Sequence, residues 1–364
     1  MAIGALSGVA RAADQTWQLQ PDGTWKTLGD DPQSRYVLAV AEVKTLISTG
    51  KVAEAQAALA KLKADYPGLA GPDLDAFAAA EQFYARRKWD SAIRKYDDFL
   101  DKHPDSWLFE SALERQYSVA TAFLNGEKRR VLRVIRLSAY EEGATIMQKI
   151  ADRAGDAPIA RRSLITLARS YEQRDKYLDA YEIWSDIASR WPTGQMGQTA
   201  LLEMAQSLHS AYKGPLYDHS PLASAASYYT NYKLRYPEDG KAREIDKQID
   251  MITEQTAYKQ YSLGRYYYRT GDHEAARYYF RYVADTWPGS TAARMAGAWL
   301  KMEPQQMVEQ ARRDRKPVHK AVDVTGRFLD KWFGIQYVTD RMRRGAADAD
   351  KTPAPAPAPT EARQ

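Results

Sequence analysis

The chain has 364 residues, of which 44% are hydrophobic and 27% charged, a composition typical of folded globular proteins and not of disordered ones. Lys and Arg total 52 against 47 Asp and Glu, and a net charge of +5 spread over this length does not require a nucleic-acid partner. Cysteine is absent, which excludes disulfides, thiolate metal sites, cysteine nucleophiles and a lipid-bearing cysteine within these residues.

The first twelve residues resemble an export signal. Ala2 to Ala10 is a short run of small and apolar residues, and Ala10-Arg11-Ala12 has the small-x-small form of a cleavage site. We therefore predict that residues 1–12 are a clipped signal peptide and that the mature protein is periplasmic, with association to the outer membrane. Retention of Met1 would instead indicate a cytoplasmic protein.

Residues 13–35 differ from the rest of the chain. Trp17 and Trp25 bracket Pro21-Asp22-Gly23, which is a turn signal between two short polar-aromatic stretches. We expect an extended N-terminal arm or a small hairpin here.

Five prolines close a recurring pattern. Twelve residues before each proline stands an alanine, and four residues after each alanine stands a large apolar or aromatic residue. Because residues i and i+4 share a helical face, each pair marks the buried side of one helix, which the proline terminates. The five sets are Ala55, Leu59 and Pro67; Ala92, Tyr96 and Pro104; Ala180, Trp184 and Pro192; Ala225, Tyr229 and Pro237; and Ala276, Phe280 and Pro288.

The pattern resembles the tetratricopeptide repeat, whose period is 34 residues. The best copy, Arg161 to Gly194, carries a large residue, Leu-small, Tyr, Ala, aromatic and Pro in the expected order, and Ala257 to Ser290 and Asp73 to Ser106 follow it. One repeat cannot bury its apolar face alone and must stack on a neighbour. We predict an all-α, tetratricopeptide-type superhelical solenoid of about six helical hairpins over residues 36–304, with an extra C-terminal helix.

Two insertions interrupt the repeats, at Leu124 to Arg136 and at Lys213 to Pro221. The first contains a basic cluster, which we expect to form a solvated loop and the start of a helix. Its members are Lys128, Arg129, Arg130, Arg133 and Arg136.

After Pro304 the repeat pattern degrades. Val322 to Met342 has enough apolar residues for an amphipathic helix within a C-terminal extension over 305–344. This helix could cap the array, dock to a partner or lie on a membrane surface. Residues 345–364 alternate Pro and Ala, and we predict a disordered tail.

Several phrases resemble the family of the outer-membrane assembly lipoprotein BamD. They are Tyr181-Glu182-Ile183-Trp184, Leu263-Gly264-Arg265-Tyr266-Tyr267, Trp287-Pro288-Gly289-Ser290, and Asp218-His219-Ser220-Pro221 leading into Arg235-Tyr236-Pro237. The resemblance implies five repeats at the periplasmic face of the outer membrane that help to receive and fold β-barrel proteins. Here the anchoring cysteine is missing, and the Leu124 to Arg136 insertion, the C-terminal helix and the Pro-Ala tail are additional.

No residue pattern indicates catalysis. The five histidines are scattered without metal-ligand spacing, and no phosphate-binding loop, nucleophile elbow or linked Ser/His/Asp spacing occurs. We therefore predict no catalytic residues, no metal and no cofactor. The histidines are His103, His209, His219, His273 and His319.

Two groups of residues are candidates for partner binding. First helices line the concave groove in such families, which suggests Arg115, Arg162, Arg169 and Gln206 for contacts with peptide carboxylates or backbone. The densest aromatic stretch, Tyr258 to Tyr282, suggests Arg265, Tyr266 and Arg269 as a docking surface. The alternative interpretations are solvated side chains for the first group and inter-helix packing for the second.

The resulting hypothesis is a non-catalytic periplasmic scaffold in outer-membrane β-barrel assembly. Its expected partners are a β-barrel assembly complex and unfolded β-barrel clients, with no nucleic acid and only peripheral membrane contact. The first alternative is a cell-envelope enzyme or carbohydrate-binding protein whose site lies in the insertions. The second is a cytoplasmic interaction protein.

Overall fold

A computed structural model describes residues 9–12, 15–19, 25–27, 32–131 and 135–314. Residues 32–314, apart from the gap at 132–134, form fifteen α-helices, and most of them pair as consecutive hairpins. The helices are α1 (Pro32–Ser48), α2 (Val52–Asp65), α3 (Pro72–Ala85), α4 (Trp89–Lys102), α5 (Phe109–Leu124), α6 (Tyr140–Ala154), α7 (Pro158–Glu172), α8 (Tyr177–Arg190), α9 (Gly194–Ala211), α10 (Ser220–Arg235), α11 (Pro237–Ala242), α12 (Ile245–Thr270), α13 (His273–Thr286), α14 (Thr291–Leu300) and α15 (Pro304–Asp314).

The predicted all-α, tetratricopeptide-type fold is confirmed. The part of the chain that the structure describes contains six hairpins, formed by α1–α2, α3–α4, α5–α6, α7–α8, α9–α10 and α12–α13. The predicted Val322 to Met342 helix and the tail over 345–364 lie outside the described residues. None of the described helices is both long and apolar enough to cross a bilayer.

The chain divides into two compact units, Met1–Leu167 and Ala168–Gln364. In the first unit, each of α1 to α6 packs against the helix that follows it, apart from α6, whose partner is α5. In the second unit, α8 packs on α9, α9 on α10, α10 on α12 and α12 on α13, with α14 against both α12 and α13. The boundary falls inside α7.

The five repeat sets behave as the spacing predicts. All five alanines are 0% exposed, and the large residues four positions later are at most 3% exposed. Each of the five helices ends two residues before its proline, and the residue between them has φ between −128° and −134° with positive ψ. A residue that precedes proline is pushed out of the α region, so the proline fixes where the helix stops.

The tight turns inside four hairpins share a backbone feature. Each contains one residue at positive φ, the left-handed region that glycine adopts most easily. These residues are Gly50, Arg87, Asp175 and Gly271. Two hairpins therefore make this turn with a residue that carries a side chain.

Five short strands accompany the helices. β1 (Val9–Ala12), β2 (Gln15–Leu19) and β3 (Trp25–Thr27) form an antiparallel sheet in the order β1-β2-β3. β2 and β3 pair across the segment that contains Pro21-Asp22-Gly23, with Trp17 opposite Thr27. The signal-peptide assignment of residues 1–12 stays a prediction.

The first insertion is not the solvated loop and helix start that we expected. β4 (Lys128–Val131) and β5 (Ile135–Ser138) pair antiparallel as a two-stranded hairpin between α5 and α6. The expectation was wrong because it used the charge of the segment and overlooked its β-branched residues, which favour strands. The second insertion is the link between α9 and α10.

Candidate functional site

The α12–α13 hairpin exposes large aromatic side chains. Ala276 and Phe280 face the core of the second unit, whereas Tyr278 and Tyr282 lie on another face of α13. Tyr278 is 66% exposed and Tyr282 is 42% exposed, and their spacing of four residues places them on the same side of the helix. Solvent therefore meets aromatic rings along one side of α13.

These rings continue onto α12 and form what we call the tyrosine surface: Tyr266, Tyr267, Tyr278, Tyr279 and Tyr282. The rings of Tyr267 and Tyr279 stack almost parallel, with centroids 5.4 Å apart and 9° between their planes. Tyr266 meets Tyr267 edge-on at 5.5 Å, and Tyr278 meets Tyr279 in the same way at 5.5 Å. A continuous series of ring contacts thus joins the two helices.

A glycine allows the two helices to approach closely. A Cβ atom at Gly264 would lie 2.7 Å from Cε1 of Phe280 and 3.3 Å from Cβ of Tyr279. Only a residue without a side chain fits at that distance. Gly264 therefore brings α12 close enough to α13 for Tyr267 to stack on Tyr279.

The core beneath the tyrosine surface is also aromatic. Phe280 stacks on Trp299 with centroids 5.7 Å apart and 12° between their planes. The indole Nε1 of Trp299 donates a hydrogen bond of 3.0 Å to the hydroxyl of Tyr261, and burial raises the pKa of that tyrosine. Buried rings with satisfied polar atoms form a firm base, so the tyrosine surface is preorganised.

Such a surface suits binding of another protein. Tyrosine offers a large contact area at a small cost in side-chain entropy, and tyrosine and arginine are enriched among the residues that dominate interface energy. Tyr266 is 53% exposed. Arg265, which is half-buried, and Arg269, which is exposed, lie one turn apart on α12 beside it. Three predicted candidates therefore adjoin the tyrosine surface.

The arginines predicted on α7 hold carboxylates of their own chain. Arg162 is exposed, pairs with Glu114, and lies with its guanidinium carbon 4.3 Å from the ring centroid of Tyr117. Both atoms of each pair belong to the first unit. A partner carboxylate would have to replace Glu114 to reach this guanidinium.

Arg169 belongs to the second unit and binds two carboxylates. Its Nη2 lies 2.6 Å from Glu203 and its Nη1 lies 3.0 Å from Glu172. Burial lowers the pKa of Arg169, but these carboxylates outweigh that effect and the pKa stands above its ordinary value. Gln206, half-buried on α9, lies three residues beyond Glu203 on the same side of that helix.

Arg115 is not at a surface, and its assignment as a partner-binding residue is wrong. Its side chain is 1% exposed, and its Nε and Nη2 donate to the carboxylate of Glu81 at 2.8 and 3.0 Å. Its Nη1 donates to the carbonyl of Ile47, and its guanidinium lies 4.4 Å from the ring centroid of Tyr84. The sequence shows a charge on a helix but not the buried acid 34 residues earlier that neutralises it.

The candidate list also omits residues that the structure exposes. Tyr278 and Tyr282 were assigned mainly to inter-helix packing. A signal was available, because both fall outside the helical face marked by Ala276 and Phe280. The sequence gave no comparable signal for Leu216 and Tyr217, which are exposed in the α9–α10 link.

Comparison with known proteins identifies the repeats. The sequence profile described as tetratricopeptide repeat matches residues 76–106, in α3–α4, and residues 260–290, in α12–α13. No curated protein matches the chain significantly. Among the residues that the structure describes, no cluster of histidines and carboxylates could hold a metal ion. The chain therefore carries tetratricopeptide repeats, one of which bears the tyrosine surface, and these repeats indicate a protein–protein interaction scaffold.

Proposed function

We propose that the chain is a non-catalytic scaffold of the periplasm that takes part in the assembly of outer-membrane β-barrel proteins. A larger partner, a β-barrel assembly complex, docks on the tyrosine surface. The single observation that carries the docking proposal is the exposed and preorganised aromatic surface on α12–α13. The assembly role and the location are supported by the resemblance of the repeats and by the small-x-small sequence at Ala10-Arg11-Ala12.

In this proposal, extended segments of client proteins bind the first helices of the hairpins. Arg162 and Arg169 already hold glutamate side chains, so a client carboxylate can take the place of Glu114 or Glu203. Exchange of one carboxylate for another leaves the number of charge-assisted hydrogen bonds unchanged. Binding of this kind is weak and reversible, as a chaperone-like role requires.

Capture of the full-length protein from native cell envelopes tests the docking proposal. We expect the wild-type chain to recover a β-barrel insertase, and we expect Tyr266→Ser with Tyr278→Ser to recover at least tenfold less, because tyrosines at the centre of interfaces contribute about 2 kcal/mol or more each. Tyr217→Ser is the matched control, since Tyr217 is exposed to a similar extent in the α9–α10 link. Equal recovery by all three proteins, or no insertase with the wild type, would refute the proposal.

Two further measurements separate the remaining parts of the proposal. Fractionation of native cells with N-terminal sequencing tests the location, and retained Met1 in the cytoplasmic fraction would contradict it. Fluorescence anisotropy with peptides from β-barrel strands tests client binding. We expect Arg169→Gln to weaken binding of peptides that carry a carboxylate and to leave a neutral peptide of equal length unaffected.

A further inference from the structure

The β4–β5 hairpin carries the entire net charge of the protein. Residues 128–138 contain five basic residues and no acidic one, and the whole chain has a net charge of +5. Outside the hairpin, the remaining 47 Lys and Arg residues equal the 47 Asp and Glu residues. The charge excess is therefore local, on one inserted element, and is not a general property of the repeats.

The strand register sorts the basic and apolar residues by face. The paired positions are Lys128 with Ser138, Arg129 with Leu137, Arg130 with Arg136, and Val131 with Ile135. Because successive residues of a strand alternate between faces, alternate pairs share a face of the ribbon. One face has Lys128, Arg130, Arg136 and Ser138, and the other has Arg129, Val131, Ile135 and Leu137.

The basic face is open at its base and is unfavourable by itself. Lys128 and Ser138, the pair nearest the helices, are both exposed to solvent. Arg130 and Arg136 occupy directly paired positions, where like charges destabilise a sheet. An isolated two-stranded hairpin is only marginally stable in water. A ligand that neutralises the paired arginines would therefore stabilise this element.

Apolar residues lie among the basic ones. Val131 and Ile135 flank residues 132–134, which connect the strands and include Leu132 and Val134. Basic residues next to apolar ones are the combination by which peripheral proteins bind anionic lipid, since electrostatic attraction and burial of apolar area both contribute. A soluble polyanion would use the charges and leave the apolar residues in water.

We propose that the β4–β5 hairpin is a membrane-surface anchor that binds anionic lipid headgroups. The basic residues attract the headgroups, and the apolar residues around the connection enter the boundary between headgroups and acyl chains. This inference goes beyond the proposed function and does not rest on it. Vesicle binding through the hairpin and insertase capture through the tyrosine surface are separate measurements, and either can fail while the other succeeds.

Co-sedimentation of the full-length protein with vesicles tests the anchor. The probes are vesicles of phosphatidylcholine alone and vesicles that contain about one third phosphatidylglycerol. We expect binding to the anionic vesicles only, with a loss on the order of 100-fold for the triple variant Lys128→Gln, Arg130→Gln and Arg136→Gln. High salt should weaken wild-type binding in the same direction.

A matched variant controls for total charge. Lys61→Gln, Lys102→Gln and Lys241→Gln together remove three exposed positive charges from other places in the chain. We expect this variant to bind anionic vesicles like the wild type, with both variants showing the wild-type helical signal in circular dichroism. Equal loss by the two variants would show that total charge matters and would overturn the assignment to the hairpin.

Two further arms complete the test. Leu132→Asn with Val134→Asn keeps all five charges, and we expect it to bind at least tenfold more weakly than the wild type, because apolar burial contributes to the affinity. No wild-type binding to anionic vesicles, or binding only to duplex DNA or polyglutamate added as competing polyanions, would overturn the lipid proposal.

Discussion

Replacement of Arg115 by methionine would leave the carboxylate of Glu81 buried without its counter-charge. Both side chains are 1% exposed, and two parallel hydrogen bonds of 2.8 and 3.0 Å join them. Methionine keeps the unbranched stem of the arginine and removes the charge and the donors. The hydroxyl of Tyr96 would remain as a donor to Glu81, which is too little to stabilise a buried anion.

The expected cost follows from this geometry. Removal of one partner from a buried ion pair costs about 3–5 kcal/mol. Loss of the guanidinium over the ring of Tyr84, at 4.4 Å, adds up to about 1 kcal/mol. Urea unfolding followed by far-UV circular dichroism measures the effect. With a slope of about 3 kcal/mol per molar urea or less, the midpoint of the first unit should fall by more than about 1 M.

Two controls isolate the buried charge. Arg115→Met combined with Glu81→Gln removes both charges and keeps an acceptor for Tyr96, so it should recover at least half of the loss. Lys51→Met breaks an exposed pair with Glu54 in the same unit and should cost less than about 1 kcal/mol. If Arg115→Met costs no more than Lys51→Met, the ion pair is not desolvated and the reasoning fails.

Three other perturbations have defined outcomes. Gly264→Ala places a methyl group 2.7 Å from a ring carbon of Phe280, and we expect overpacking to lower the free energy of unfolding by about 1–3 kcal/mol in thermal unfolding. Arg87→Gly removes a left-handed residue with φ of 52°, and we expect urea unfolding to show a gain of about 0.5 kcal/mol. A hydrogen bond with a neighbouring tyrosine, followed by burial, raises the pKa of Tyr181 to about 12, and burial with a carboxylate acceptor raises that of Tyr232 to about 12. Because both values exceed the ordinary 10.0, this contribution to stability is complete below pH 10 and is lost as pH rises from 10 to 12, so replacing both by phenylalanine should make the urea midpoint less sensitive to pH in that window.

Each of these variants has a control in the same chain. Gly68→Ala adds a methyl group where no atom lies within 4 Å and should not destabilise through overpacking. Arg86→Gly, at φ −84°, relieves no strain and should lower stability, so a gain there would contradict the explanation for Arg87. Tyr217→Phe, at an exposed site, should leave the alkaline dependence unchanged.

The repeats could be predicted from the sequence because they depend on local rules. An alanine and a large residue four positions later mark a buried helical face, and a proline stops the helix two residues before itself. Both rules act within one helix, so they hold whatever the neighbouring element is. The long helix α12 follows for a similar reason, since no glycine or proline occurs between Gly240 and Gly264.

The inserted segment was harder to predict. Lys128 to Ser138 has many charges, which favour a solvated loop, and several β-branched residues, which favour a strand. The choice between them depends on pairing between residues that are up to ten positions apart. Composition does not contain that information, and the register between Arg130 and Arg136 exists only once the strands have paired.

The sequence by itself determined the class of fold, the helical repeat, its residues and its boundaries, because these follow from periodicity and from proline chemistry inside single helices. Tertiary structure alone decided which charged and aromatic residues are accessible. Arg115 is buried because Glu81 lies on a neighbouring hairpin, and Tyr278 is exposed because Phe280 takes the core position of the same helix. Burial depends on what packs against a residue from elsewhere in the chain, and no local pattern specifies that neighbour.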